Sequence, residues 1–238
     1  MSRVFLVTGS NAGIGYELVR SLAERGHIVY LSSRDETKGK EALSKIQGDG
    51  LSAKFVQLDI TSPALITAAK DFIEKQEGRL DVLVNNAGVS KFDSPQKAAT
   101  ADTDVIREVF EPNFFGLIQT TTVFIPLLRK SSQPIIINVS SELSSNILQA
   151  RHPFSHGVVA YSASKAAVNS YTIALAHELR DEGFKVIAVT PGLTSTKLTH
   201  WAGKSVKEGA EIILRSVLVG KDGPTGVFIA IDGSEHAW

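Results

Sequence analysis

Residues 4–15 read Val4-Phe5-Leu6-Val7-Thr8-Gly9-Ser10-Asn11-Ala12-Gly13-Ile14-Gly15, and this stretch decides the fold. Val4 to Thr8 form a strand-like run, apolar through Val7, which suits a strand covered on both faces. Glycines then punctuate the chain, and beyond Gly13 the residues Leu18, Val19, Leu22 and Ala23 recur at helical spacing. A strand, a glycine turn and a helix in immediate succession present the free backbone amides of the helix start to an anion. In that arrangement Gly9 permits a tight turn, Gly13 lets the main chain approach a pyrophosphate, and Gly15 lets the helix pack closely on the sheet. Ser10, Asn11 and Ile14 complete the candidate phosphate cradle. Any tight strand-to-helix turn can use glycine, so the surrounding chain must identify this one.

Outward from the turn, strand-like runs recur at residues 27–32, 53–58, 80–84, 135–139, 185–189 and 227–231. Helical patterns lie between them, one through Leu65, Ala69, Phe72 and Ile73, and a long one through Val105, Val109, Phe110, Leu117 and Ile118. The strict alternation predicts an α/β fold: a single-domain doubly wound parallel sheet (Rossmann fold) over residues 1–238, of about seven strands with helices on both faces. Its ligand site is expected outside the carboxyl ends of the strands, shaped by residues 90–104, 142–159 and 192–206, which each follow a strand. The 238 residues, 43% apolar and 21% charged, suit a sizeable core and not a disordered or rod-like chain. Lys and Arg total 25, as do Asp and Glu, so no global field draws nucleic acid or an anionic membrane. The absence of cysteine excludes disulfides and thiolate chemistry and permits a cytoplasmic address. No apolar run approaches the roughly 18 residues that a membrane span needs, and the chain enters its first strand without a basic leader. A soluble, unprocessed, cytoplasmic protein is expected, without metal, nucleic-acid or membrane partners.

The TGxxxGIG pattern at residues 8–15 resembles the cofactor turn of the short-chain dehydrogenase/reductase family. Asn85-Asn86-Ala87-Gly88 matches that family's NNAG segment, Tyr161-Ser162-Ala163-Ser164-Lys165 its YxxxK, and Pro191-Gly192 its PG turn, all in the family's order. The resemblance runs from Val4 to the C-terminus. It is strongest to the carbonyl reductase branch, through residues 111–116, residues 223–228 and the terminal Trp238. It implies a nicotinamide dinucleotide cofactor and places Asp59 and Ile60 at the adenine, with Asn86, Ala87 and Gly88 along the adenosine ribose. Asp59 could instead cap the helix that follows Ser62.

A site that prefers NAD carries an acidic residue at the end of the second strand, where this chain has Ser32, Ser33 and Arg34. No carboxylate there repels a 2′-phosphate. Ser33 can donate a hydrogen bond, and Arg34 can pair with the phosphate and stack on adenine, so NADP(H) is the expected cofactor. Asp35 or Glu36 could engage Arg34 instead. Ala12 stands where NADP-preferring relatives often have a basic residue, which leaves the phosphate one fewer clamp.

Tyr161 and Lys165 are four residues apart, so on a helix they share a face. A phenol is a poor acid-base catalyst near neutrality, and a neighbouring ammonium is expected to lower its pKa. The resemblance implies that Tyr161 protonates the substrate carbonyl while Lys165 tunes it and holds the nicotinamide ribose. Ser141, with Ser140 as its nearest rival, is implied as the donor to the substrate carbonyl, and Asn113 as support for a water that links the lysine to solvent. Pro191, Gly192, Leu193 and Thr196 are implied at the nicotinamide. Residues 143–159 form a longer loop than the family commonly has and are expected to wall the substrate pocket, with His152 and His156 at its surface. Residues 195–206 are too short for a large lid, which predicts an open and tolerant pocket.

The reading is an NADPH-dependent oxidoreductase that reduces a small-molecule ketone or aldehyde reversibly. Alternatives are a non-catalytic NADP(H) sensor and an enzyme dedicated to a steroid, acyl-carrier or biosynthetic ketone. A monomer and a dimer or tetramer paired through long helices are all compatible with the sequence.

Overall fold

The computed structural model describes residues 2–151 and 157–238. Seven strands form one sheet: β1 (Val4–Val7), β2 (Ile28–Ser33), β3 (Lys54–Gln57), β4 (Val82–Asn85), β5 (Ile135–Val139), β6 (Lys185–Val189) and β7 (Val227–Ile229). They lie in the order β3-β2-β1-β4-β5-β6-β7, and every neighbouring pair is parallel. The helices are α1 (Gly13–Glu24), α2 (Glu36–Gly48), α3 (Pro63–Glu77), α4 (Thr103–Phe110), α5 (Leu117–Leu128), α6 (Asn146–Arg151), α7 (Val159–Glu178) and α8 (Val206–Val217). Among the described residues no helix is long and apolar enough to cross a membrane.

The apolar strand runs are explained by burial on both sides. Phe5, Val7, Ile135 and Ile137 pack with Leu18, Leu22, Ile46 and Ile213 in the layer of α1, α2 and α8. The alternate residues Val4, Leu6 and Ile136 pack with Ile66, Phe124 and Leu175 in the layer of α3, α5 and α7. Side chains alternate across a strand, so a strand buried on both faces must be apolar at every position. Burial of side chains of this size stabilises by roughly 1.5–3 kcal/mol each before conformational entropy is subtracted.

The long central helix expected around Asn113 is two α-helices joined by a π-helical turn over Glu111–Gly116. Pro112, inside that turn, has no amide to donate, which breaks the regular ladder where Asn113 must turn inward.

The sheet order reverses beside β1, and there the loops after β1 and β4 are bolted together. Asn86 Nδ2 donates to the carbonyls of Thr8 (2.8 Å) and Gly9 (3.1 Å), while Thr8 Oγ1 accepts from the amides of Asn86 (2.9 Å) and Ala87 (3.0 Å). Gly9 has φ +60°, and a Cβ on it would lie 2.9 Å from Ala87 Cα. Gly9→Ala therefore meets both left-handed strain and a backbone clash. It is expected to cost about 2–4 kcal/mol, read as a lower denaturant midpoint with unchanged slope.

Candidate active site

A cleft of about 1170 Å³ opens along the carboxyl ends of the strands. Its first wall is the glycine turn, from which Gly9, Asn11, Gly13, Ile14 and Gly15 reach the surface. A Cβ on Gly15 would stand 2.6 Å from Asn86 Nδ2 and 2.9 Å from Ser10 Cα, so close packing against the β4 loop, and not only against the sheet, demands glycine there. A Cβ on Gly13 would meet Thr196 Cγ2 at 3.4 Å, so Thr196, from the loop after β6, faces the phosphate cradle across the cleft.

Two residues expected at the cofactor are placed elsewhere by the fold. Ser10 is fully buried, with its hydroxyl donating to Val7 O and accepting from Ser32 N, and so ties β1 to β2 beneath the cleft. Ser33 is also buried and accepts from Asp35 N. Arg34 does line the cleft. Neither acidic neighbour engages it: Asp35 caps α2 and pairs with Lys38, and Glu36 pairs with Lys40. Asp59 and Ile60 line the same end. Asp59 Oδ1 accepts from the amide and hydroxyl of Thr61, while Ser62 caps α3, so Asp59 is not the helix cap.

Deeper in the cleft lie Ser141, Tyr161 and Lys165. The Ser141 hydroxyl faces the same cleft as the Tyr161 phenol and accepts from Leu143 N at 3.2 Å. Ser140, its rival, is turned away into a buried bond with Asn169. Lys165 Nζ lies 5.9 Å from the Tyr161 ring centre and donates to Val139 O at 2.8 Å. Burial pushes Lys165 down to about 8. Burial also pushes Tyr161 up to about 12, partly opposed by the Ser141 hydroxyl. The sequence leads us to expect a lowered phenol; for the protein alone the direction is the reverse, because desolvation of the phenolate dominates and the ammonium is held nearly 6 Å from the ring, donating to a carbonyl.

Asn113, wholly buried, clamps the main chain after β4. Its Oδ1 accepts from Val89 N (2.8 Å), and its Nδ2 donates to Val89 O (2.9 Å) and Ser164 Oγ (3.0 Å). Both amide hydrogens are thus engaged by protein, and the side chain acts first as a brace. A Cβ on Gly88 would lie 3.0 Å from Asn113 Oδ1 and 3.6 Å from Lys165 Nζ, so the bare main chain there lets the two side chains converge.

The three expected loops all reach the cleft, through Ser90 to Phe92, through Glu142 and Leu143, and through Gly192 to Thr199. The extra length before α7 folds partly into α6, which does not line the cleft, so among the described residues of that loop its start walls the cleft. His152 and His156 lie outside the described residues. The loop after β6 is short, yet it crosses the cleft: Ser90 Oγ donates to Leu198 O at 3.1 Å, and His200 Nε2 lies 3.4 Å from Asp93 Oδ1.

Sequence reasoning missed several residues here. Phe92 sets its ring edge to face with Tyr161, at 5.2 Å and 74°. Lys91 pairs with Glu108 at 2.6 Å on the rim. The buried Gln96 supplies the cap that α7 lacks locally: its carbonyl accepts from Val159 N (3.1 Å) and its Oε1 from Tyr161 N (3.2 Å). No local pattern signals a capping residue 65 positions upstream.

Pro191, Gly192, Leu193, Thr196, Asn86, Ala87 and Gly88 all line this one cleft with the Tyr161–Lys165 pair, so the four motifs separated in sequence meet in space. Comparison with known proteins agrees with that convergence. The chain is 31% identical to salutaridine reductase of Papaver somniferum, over 95% of this chain and 93% of that protein. It is 34% identical to carbonyl reductase [NADPH] 1 of Bos taurus, over 95% of each. The NADPH-bound carbonyl reductase from chicken fatty liver superposes with a TM-score of 0.87 at 26% identity, over 100% of this chain and 99% of that one. Residues 3–207 match the short chain dehydrogenase family, and the chain belongs to it.

Proposed function

We propose that this chain is an NADPH-dependent reductase of small-molecule ketones or aldehydes, working reversibly as a single domain. Its cysteine-free composition suits a cytoplasmic address. The observation that carries the reading is the convergence of Ser141, Tyr161 and the buried Lys165 in one cleft, which also holds an arginine that its acidic neighbours leave free. The cradle fits a dinucleotide: backbone at Gly9 and Gly13 stands bare at the start of α1, where a pyrophosphate gains from the helix amides. Asn11, Ile14 and Gly15 complete that end, Asp59, Ile60 and Arg34 meet the adenosine, and Asn86 to Gly88 flank its ribose. Pro191, Gly192, Leu193 and Thr196 hold the nicotinamide end.

NADPH, when bound, supplies the hydride. Ser141 and Tyr161 donate hydrogen bonds to the substrate carbonyl oxygen and stabilise the negative charge that grows there, and Tyr161 gives up its proton to complete the alcohol. Lys165 holds the ribose hydroxyls and keeps a positive charge near the phenol that is losing its proton. Asn113 braces Val89 and Ser164, so that α7 and the β4 loop stay in register.

A panel of ketones, aldehydes and diketones, followed by the absorbance of NADPH and of NADH in parallel, tests the reading. Turnover with NADPH is expected, and binding of NADPH without turnover of any carbonyl would overturn it in favour of a sensor. In the same assay Arg34→Ala is expected to weaken NADPH binding by about 10- to 100-fold, the loss of a charge-assisted contact, and to weaken NADH, which loses only the contact with the adenosine, by no more than about fivefold. Equal weakening of both would place Arg34 away from the 2′-phosphate.

A further inference from the structure

Behind Ser141 runs a chain of hydrogen bonds that takes no part in cofactor binding or proton transfer. Asn169, on α7 two turns beyond Tyr161, is only 3% exposed. Its Oδ1 accepts from Ser140 Oγ at 2.7 Å, and its Nδ2 donates to Ser144 Oγ at 2.7 Å. Ser144 Oγ donates in turn to the Ser141 carbonyl at 2.5 Å, and that carbonyl also accepts from Ser144 N at 2.9 Å.

Each hydroxyl has a single hydrogen, so with Asn169 Oδ1 facing Ser140 the direction of the rest of the chain follows. Ser140 has a nearer acceptor in Asn169 than in Ser144 Oγ, which is 3.1 Å away. The amide of Asn169 must then present its NH₂ to Ser144, and the Ser144 hydrogen is left for the Ser141 carbonyl. A reversed amide, or an acceptor in place of its NH₂, would draw the Ser144 hydrogen to itself and release that carbonyl. Ser141 is the extended residue from which the 3₁₀ turn Glu142–Ser144 begins, and Leu143 N already occupies one lone pair of its hydroxyl. The hydrogen of Ser141 is thereby left for the cleft. Polar groups buried this deeply hold a single geometry only when every member is satisfied.

We propose that Asn169 is a positioning residue for Ser141: through Ser144 it fixes the turn that aims the Ser141 hydroxyl at the reacting carbonyl. The proposal rests on the reading of Ser141 as a donor to substrate. The test is a double-mutant cycle on the full chain, with NADPH and the fastest carbonyl substrate of the panel. Asn169→Ala and Ser144→Ala are each expected to lower kcat about tenfold, with the Kd for NADPH within twofold of the parent. In a Ser141→Ala background the same changes should add less than a twofold loss, because no hydroxyl remains to be aimed. An equal fold-loss in both backgrounds would mean a merely structural role and would overturn the proposal, as would an unchanged kcat. Should Asn169→Ala fail to fold, Ser144→Ala completes the cycle alone. Ser141→Ala at the wild-type kcat would instead remove the reading of Ser141, and the proposal with it, and is recognised from that single variant.

Discussion

Replacing Tyr161 by Phe is expected to lower kcat for carbonyl reduction by about 10³-fold while the Kd for NADPH stays within a factor of two, measured by steady-state kinetics and fluorescence titration. The substitution removes one hydroxyl and little else. The ring is buried and set edge to face against Phe92, and Phe keeps that contact. A positioned general acid contributes roughly 10²–10⁴ to a rate, and Ser141 would remain as a donor to the carbonyl oxygen, which is why some activity should survive. The pH dependence of the parent follows from the same burial. Tyr161, pushed up to about 12, keeps its proton through the neutral range and contributes no limb there. Lys165, pushed down to about 8, begins to lose its charge near that value. The reduction rate is therefore expected to be level below about pH 8 and to fall above it, as the cation beside the phenol is neutralised. A Tyr161→Phe variant with kcat within tenfold of the parent would end the assignment of Tyr161 as proton donor.

What the sequence made legible was whatever is repeated locally. The seven strands could be placed because residues such as Ile135, Ile136 and Ile137 are buried alternately in two separate layers, and no other strand environment needs three successive isoleucines. Gly9, Gly13 and Gly15 could be read because their spacing is set by one turn. Depth and distant partnership could not be read. Ser33 and Arg34 are neighbours, yet only Arg34 reaches the cleft, and Ser10 lies beneath it, because the side to which each chain turns depends on how β1 and β2 pair. The pKa direction at Tyr161 was not legible for a related reason: the spacing of Tyr161 and Lys165 sets how near they are, but the burial that dominates comes from β5, the β4 loop and Phe92. Pro112 signals an interruption within a helical pattern but not that a π turn follows. Gln96 and Asn169 are ordinary amides until the fold brings them to the head of α7 and to the back of Ser141. Local rules fail here at the residues that hold the reacting groups in place, where structure answers to function and not to element-by-element preference.

The sharpest separation of stability from function falls at Lys165. The residue is 4% exposed, and among the described residues its charge has a single hydrogen-bonding carbonyl, Val139 O at 2.8 Å. A pKa pushed down from 10.5 to about 8 by burial corresponds to a cost of about 3 kcal/mol for carrying the charged form in the fold at neutral pH. Lys165→Met removes that cost, keeps an unbranched chain of similar length, and leaves Val139 O without its donor, a penalty of about 1–2 kcal/mol. The variant is accordingly expected to be more stable than the parent by roughly 1–2 kcal/mol at pH 7 while losing activity by about 10³-fold, since nothing then holds the ribose hydroxyls or offsets charge at Tyr161. The sign of the pH dependence follows from proton counting. Between about 8 and 10.5 the unfolded parent binds more protons at this lysine than the folded parent does, so the parent gains stability as pH rises through that window, whereas the variant has no such group. The advantage of Lys165→Met should therefore be largest at neutral pH and should shrink, then reverse, toward pH 10, in urea unfolding followed at several pH values. The raised pKa of Tyr161 acts in the opposite sense above about 10, but it is present in both proteins and cancels to first order in their difference. A variant that was less stable than the parent at pH 7, or whose advantage did not change with pH, would show that the Lys165 amine is not carried as a buried charge. An active variant would remove the lysine from the proton-transfer pair altogether.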